Sequence, residues 1–427
     1  MLGAGSPLAD WLTWLESLSA HEIDMGLDRV EQVLERLALV IPDTVFHVAG
    51  TNGKGSCVAM LDALLGAAGT RVGCYTSPHV HRYNERIRFN GQEADDETII
   101  AAFERIEAVR DGVPLTYFEY GTIAALVVFA DARVDVAVLE VGMGGRLDAV
   151  NAVEPSAGLI TNIALDHCDW LGNDIESIGF EKAGIMRRDK PVVFGSRDVP
   201  GSVVDHAESI DAQLILAGRD YDWSCEEASW SWQGARQKMV GLEPPALQGE
   251  HQIGNAAAVL ALLESAGYSD VLTEPRVNAA MTSLALPGRM QRVTAGARWI
   301  LDVAHNPAAA SALAGVLRQC KKHARTVAIL GLLDDKDVEG VVTPLVGVVD
   351  DWIAVTADSP RAIPAGELAR QVANLANAGC LVAESLRDAI DHAQDIATTD
   401  DRIVVTGSFY LVGPALHLLD IYSPRTS

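Results

Sequence analysis

The sequence predicts an α/β protein in two parts. The larger N-terminal part has a mainly parallel sheet, and the C-terminal part is a smaller α/β domain of Rossmann-like type. Three observations predict this. Short apolar runs rich in β-branched residues at 45–48, 71–75, 134–139, 157–161 and 192–194 alternate with stretches of helical spacing, as buried parallel strands do. The first four of these runs each hand over to a polar loop, where open α/β sheets bind ligands. The same alternation resumes after residue 286, with strands expected at 299–304, 327–330, 352–356 and 403–406.

Ser6-Pro7 reads as a helix start, followed by Trp11, Trp14, Leu15 and Leu18 on one face. A second helix carries Val30, Val33, Leu34 and Leu37. Val45, Phe46 and Val48 form the next strand, and Gly50, Gly53 and Gly55 follow with Lys54 among them. Cys57, Leu61, Leu64, Leu65 and Ala68 then fall at helical spacing, with Gly69 expected as the C-cap. Strand, glycine loop, lysine and helix form a phosphate cradle, which makes the N-terminal part a P-loop mononucleotide-binding domain. Backbone N–H groups approach the anion, Lys54 adds a charge, and Ser56 offers a hydroxyl to a phosphate-bound magnesium. The loop departs from the standard pattern because Gly55, not Ser or Thr, follows the lysine, and Val48 and Ala49 stand where an early glycine is usual.

Further along, a helix is expected over 118–130, entered through Glu119-Tyr120-Gly121-Thr122. Trp223, Trp230 and Trp232 alternate with polar residues, predicting short antiparallel strands over 217–240. A helix over 248–263 carries His251 and Asn255. The stretch 287–292 is taken as a linker between an ATP-binding domain over 1–286 and a C-terminal domain over 293–427. In the latter, Asn306 and Pro307 have the cap and first-turn chemistry of a helix start.

The chain has 427 residues, 49% hydrophobic and 21% charged, enough for large cores. Its net charge of −25 argues against nucleic acid or an anionic membrane as partner, and makes a metal ion expected with any polyphosphate substrate. The six cysteines show no CxxC spacing and read as reduced thiols of a cytoplasmic protein. Asp10 and Glu16 in the N-terminal stretch do not fit a signal peptide.

The motifs, in order, are GTNGKGS at 50–56, TSPH at 76–79, ERI at 85–87, EVGMGGRLDAVN at 140–151, DHCDWLG at 166–172, EKAGI at 181–185, HQIGNA at 251–256, PGR at 287–289 and DVAHNP at 302–307. This ordered set resembles folylpolyglutamate synthases in their bifunctional dihydrofolate synthase form, within the Mur ligase superfamily. The resemblance implies ATP-dependent amide formation. A substrate carboxylate attacks the γ-phosphate, and the amine of L-glutamate displaces phosphate from the resulting acyl phosphate, first on dihydropteroate and then on reduced folates. It implies two magnesium ions with ATP as co-substrate, no other partner, and a monomer.

The resemblance also implies residue roles. Asn52, Gly53, Lys54 and Gly55 hold the triphosphate, and Asn255, Arg289 and Asp302 contact ATP, with His305 nearby, so that the site closes between domains. Ser56, Ser77 and Glu140 match ligands of the first magnesium, and His167 a ligand of the second. Lys182 matches a lysine carried as a carbamate (N6-carboxylysine); by residue type alone it is a surface lysine paired with Glu181 or Asp189. By the same measure Glu140 would pair with Arg146 or Arg86. Lys54, Lys182 and His167 are the catalytic set. For the pterin-bearing substrate the matching stretches are Glu22, Ile23 and Asp24; Thr116, Tyr117, Phe118 and Glu119; and Leu147, Asp148 and Ala149. Phe118 is expected to stack on the flat ring. Cys168 stands where such proteins often carry threonine. A cell-wall Mur ligase shares the chemistry but carries a nucleotide-sugar domain ahead of the phosphate loop, where this sequence has 49 residues before Gly50. A regulatory P-loop ATPase would not need the set His167, Lys182 and Arg289.

Overall fold

A computed structural model describes residues 5–18, 24–295, 297–319 and 325–419. The chain divides into two compact units. The first comprises Met1–Ile163, Leu171–Pro245 and Ile253–Leu284; the second comprises Ala164–Trp170, Ala246–Gln252 and Ala285–Ser427.

In the first unit eight strands form one sheet: β1 (Thr44–Ala49), β2 (Val72–Tyr75), β3 (Ile87–Phe89), β4 (Gln92–Glu93), β5 (Val136–Glu140), β6 (Ala157–Ile160), β7 (Pro191–Phe194) and β8 (Gln213–Leu216). Their order is β4-β3-β2-β5-β1-β6-β7-β8. The run from β2 to β8 is parallel, and β3 and β4 add an antiparallel edge. The order sets the carboxyl ends of β2, β5, β1 and β6 side by side. Helices cover both faces, which explains why β1 and β5 are buried almost throughout instead of alternating. Residues 119–129 of the helix Tyr117–Ala132 are all buried, which explains why it is largely apolar on every face beyond Thr122.

Three antiparallel strands follow, β9 (Asp222–Cys225), β10 (Trp230–Gln233) and β11 (Lys238–Leu242). Trp232 is fully buried, and its indole N–H donates to Ala257 O at 3.1 Å, fixing this sheet to the helix His251–Ser265. At the far end of that helix Glu264 accepts the N–H groups of Ala235, Arg236 and Gln237. The helix that carries Asn255 is therefore held at its middle and at its C-terminal end.

The second unit contains β12 (Gln291–Ala295), β13 (Ala297–Asp302), β14 (Thr326–Leu330), β15 (Asp351–Ala354), β16 (Cys380–Val382) and β17 (Arg402–Thr406), in the order β12-β13-β17-β14-β15-β16. All pairs are parallel except β12 with β13.

Several boundaries differ from the sequence reading. The phosphate-loop helix ends at Gly66, and Gly69, at φ +84°, lies in the turn beyond. Gln291 and Arg292, drawn as linker, already belong to β12. The unanticipated strands include β4, β8, β12 and β16, which are sheet edges; β4 has two residues and β16 three, too short for a period to register. Among the described residues, no helix is long and apolar enough to cross a membrane.

His47 lies in the middle of β1, fully buried, and among the described residues neither ring nitrogen has a hydrogen-bond partner. Burial, reinforced by the charge of Arg187, lowers its pKa from 6.5 to about 3. A lowered folded-state pKa means the neutral ring stabilises the fold fully above pH 6.5, and that contribution is lost as pH falls from 6.5 towards 3. Denaturant titrations across this window should show wild-type stability falling with acid more steeply than that of His47→Leu, by up to about 1.4 kcal/mol per pH unit. Parallel pH dependences would refute the assignment.

Candidate active site

The phosphate loop is shaped by contacts with the end of β6. Gly50 has φ +140°, and a Cβ there would meet Thr161 Oγ1 at 1.9 Å, so only glycine fits. Gly53 has φ +86°, and its added Cβ would meet the Asn255 amide at 2.9 Å. The Thr51 N–H donates to Asn162 O at 2.9 Å and the Asn52 N–H to Asn162 Oδ1 at 3.1 Å. In return Asn162 Nδ2 and Thr161 Oγ1 donate to Asn52 O at 2.8 and 2.6 Å. Lys54 opens the helix Lys54–Gly66, and its ammonium folds back onto Gly50 O at 3.1 Å and Thr51 O at 3.3 Å. The loop thus presents a helix N-terminus with a lysine beside it, a built anion site.

Next to it, Glu140 ends β5 and is buried. The Ser77 N–H donates to Glu140 Oε2 at 3.3 Å, and a Cβ on Gly55 would lie 3.5 Å from the same oxygen. Ser56, one residue on, is buried in the first turn of the loop helix. Ser56, Ser77 and Glu140 therefore gather at one corner of the sheet. Of the partners expected for Glu140, Arg146 pairs with Glu181 at 2.8 Å, while Arg86 Nε donates to His79 Nδ1 at 2.8 Å. The ERI motif organises the TSPH loop. Glu85 accepts the N–H groups of Val80, His81 and Arg82 at 2.7–2.8 Å, and Arg86 lies over the rings of Tyr83 and Tyr117. Burial, with the charges of Arg86 and His81, pushes the His79 pKa down to about 3, which keeps Nδ1 an acceptor for Arg86.

Lys182 is not a surface lysine. It is buried, and its Nζ donates to Gly50 O at 3.1 Å, at the root of the phosphate loop. Its neighbour Glu181 faces outward enough to pair with Arg146. The donor set suits a hard cation: a carboxylate and two hydroxyls, all oxygen, beside a phosphate cradle. Among the described residues no group of three or more His, Cys, Asp or Glu side chains is placed to hold a metal ion.

Of the pterin-matched residues, Glu22 and Ile23 lie outside the described residues. Asp24 is half exposed and pairs with Arg29 at 2.9 Å. Thr116 and Glu119 cap the helix Tyr117–Ala132 reciprocally: Glu119 Oε2 accepts the Thr116 N–H at 2.7 Å, and Thr116 Oγ1 accepts the Glu119 N–H at 3.3 Å. The half-buried Phe118 ring packs on the glycine loop after β5, where a Cβ on Gly142 would meet it at 2.5 Å. Leu147 O accepts the Gly26 N–H at 3.2 Å. Asp148 accepts from Met143 and Val150 N–H, yet burial outweighs these bonds and the charge of Lys54, raising its pKa to about 6. Ala149 begins the short turn that Asp148 caps.

His167, Arg289 and Asp302 belong to the second unit. There His167 has φ +52°, and its N–H donates to Asp166 Oδ1. Asp166 also accepts from Lys336 Nζ at 2.9 Å and Asn306 Nδ2 at 2.9 Å, with His305 Nε2 at 3.6 Å. Burial alone would raise the Asp166 pKa, but His305, His167 and Lys336 together hold it well below the usual range. Asp302 accepts the N–H groups of Met290 and Ala304, and burial raises its pKa against the pull of Arg289. Asn306 caps the next helix through Ala309 N–H, as its sequence position predicts. Lys336 was not anticipated; its place in the acidic run 334–337 hides it.

Two family models match this arrangement, a Mur ligase middle domain over residues 48–263 and a Mur ligase glutamate ligase domain over 288–409. The Escherichia coli (strain K12) dihydrofolate synthase/folylpolyglutamate synthase is 42% identical, over 98% of this chain and 96% of its own. The chain belongs to the dihydrofolate synthase/folylpolyglutamate synthase family. The Mycobacterium tuberculosis member of the family is 36% identical over 92% of this chain and 90% of its own. The structure of E. coli FolC in complex with DHPP and ADP superposes with a TM-score of 0.92 at 41% identity, covering 98% of this chain and 99% of that one. Another bifunctional synthase, with Mn, AMPPNP and L-glutamate bound, gives a TM-score of 0.91 at 41% identity, covering 98% and 99%.

The packing of Gly50 makes a direct test. Gly50→Ala should fold with a lower melting temperature and lose nucleotide binding by at least about tenfold, since the loop must move off Thr161. Unchanged ATP affinity in the variant would show that this packing does not set the loop.

Proposed function

We propose that this chain adds L-glutamate to dihydropteroate and then to reduced folates, using ATP, at one active site. The observation that carries this reading is Lys182: an ammonium buried against Gly50 O, at the root of a phosphate loop and in the unit that holds Ser56, Ser77 and Glu140. A carboxylate is a poor electrophile, so it is first phosphorylated. The substrate carboxylate attacks the γ-phosphate and ADP leaves. The glutamate amine then attacks the acyl carbon, and phosphate departs as the amide forms.

The chain's own work is positioning and charge neutralisation. Asn52, Gly53, Lys54 and Gly55 hold the phosphates, with Asn255, Arg289 and Asp302 as further ATP contacts. Ser56, Ser77 and Glu140 would hold a first magnesium, and His167 would serve a second. Bound there, magnesium neutralises charge on the transferring phosphate. Lys182 acts as N6-carboxylysine. A bare ammonium next to a cation site repels the metal, whereas a carbamate supplies oxygen donors. Asp24, Thr116, Tyr117, Phe118, Glu119, Leu147, Asp148 and Ala149, with Glu22 and Ile23, form the pterin site, in which Thr116 and Glu119 act through the helix start they cap. A monomer in the cytoplasm, with these small molecules as its only partners, completes the reading.

ADP release measured with dihydropteroate plus L-glutamate should far exceed that with a muramyl-peptide precursor or with no acceptor. Lys182→Ala should lose this turnover, and added short carboxylic acids should restore part of it. Release without an acceptor would favour a regulatory ATPase. A variant that no carboxylic acid rescues would count against the carbamate.

A further inference from the structure

Arg29 lies in the first turn of the helix Asp28–Leu37 and joins two of the three stretches assigned to the pterin site. Its NH1 pairs with Asp24 Oδ2 at 2.9 Å, and its NH2 donates to Asp24 O at 2.7 Å. On the other side Nε and NH2 donate to Glu119 Oε1 at 3.1 and 2.8 Å. The other Glu119 oxygen takes the Thr116 N–H, so this buried carboxylate is shared between a helix cap and the guanidinium. The third stretch is tied in by the Gly26 N–H on Leu147 O. In the same loop the Met25 methyl lies 3.7 Å from a Cβ placed on Gly144.

From this geometry we infer that Arg29 is a positioning residue for the pterin-bearing substrate, holding the segment at Asp24 against the start of the helix Tyr117–Ala132. The inference rests on the pterin site proposed above. Asp24 is half exposed and sits on a loop, so without a tether it must be ordered when substrate arrives, and that ordering cost weakens binding. A planar guanidinium can serve a carbonyl and two carboxylates at once; a lysine, with one nitrogen, cannot reproduce the fork. The ATP-holding loop is built from other residues, so the effect should be confined to the pterin substrate.

Steady-state kinetics of Arg29→Met and Arg29→Lys test this, alongside Asp24→Ala. The expected result for Arg29→Met is a KM for dihydropteroate raised about tenfold or more, with kcat within about threefold and the KM for ATP unchanged. Arg29→Lys should fall between it and wild type. If Arg29→Met leaves Glu119 buried without a cation and does not fold, Arg29→Lys keeps a cation beside it and carries the test, with the KM for dihydropteroate still expected above wild type. An unchanged KM for dihydropteroate with a lowered melting temperature or kcat would reduce Arg29 to a structural ion pair. Should Asp24→Ala leave that KM unchanged, the pterin site itself is misplaced. Should Asp24→Ala raise it while Arg29→Met and Arg29→Lys do not, only the role given to Arg29 fails.

Discussion

The docking of the phosphate loop onto the end of β6 is the constraint on which the rest of the first unit depends. Thr161 and Asn162 hold Asn52 in place through paired bonds, and Gly50 must be glycine because Thr161 occupies the space of a side chain. Once the loop is fixed, Lys54 and Lys182 both reach Gly50 O, from the loop's own helix and from a residue 132 positions away. The parallel order β2-β5-β1-β6 then brings Ser77 and Glu140 alongside without further design. The substrate chemistry follows from where the strands end.

Charge is handled locally against an opposing whole. A chain with net charge −25 repels polyphosphate at long range. The loop answers with a helix N-terminus and Lys54, beside the oxygen atoms of Ser56, Ser77 and Glu140. In the second unit Asp166 plays the converse part: one buried carboxylate gathers Lys336, Asn306 and His305 and takes the His167 backbone N–H. Among the described residues these contacts place His167 within a defined network instead of on a loose loop.

Local chemistry was legible in the sequence. The glycines at 50 and 53, the end of β5 at Glu140, the cap at Asn306 and the antiparallel strands around Trp230 and Trp232 all follow from residue type and spacing. What the sequence hid are contacts between distant residues. Lys182 looks like a surface lysine beside Glu181, because nothing nearby in sequence announces Gly50 O as its partner. Arg29 reaches across 90 positions to Glu119, and Lys336 across 170 to Asp166. Short edge strands escaped for a different reason: two or three residues cannot show a period of two.

The central claim is that a single corner, formed by the phosphate loop and Glu140, drives both glutamate additions. Its most direct test is glutamate incorporation by Glu140→Gln, measured with dihydropteroate and with tetrahydrofolate as separate acceptors. The account predicts that both rates fall together by a common factor, since both acceptors need the same phosphate chemistry. Loss of one activity with the other near wild type would contradict it.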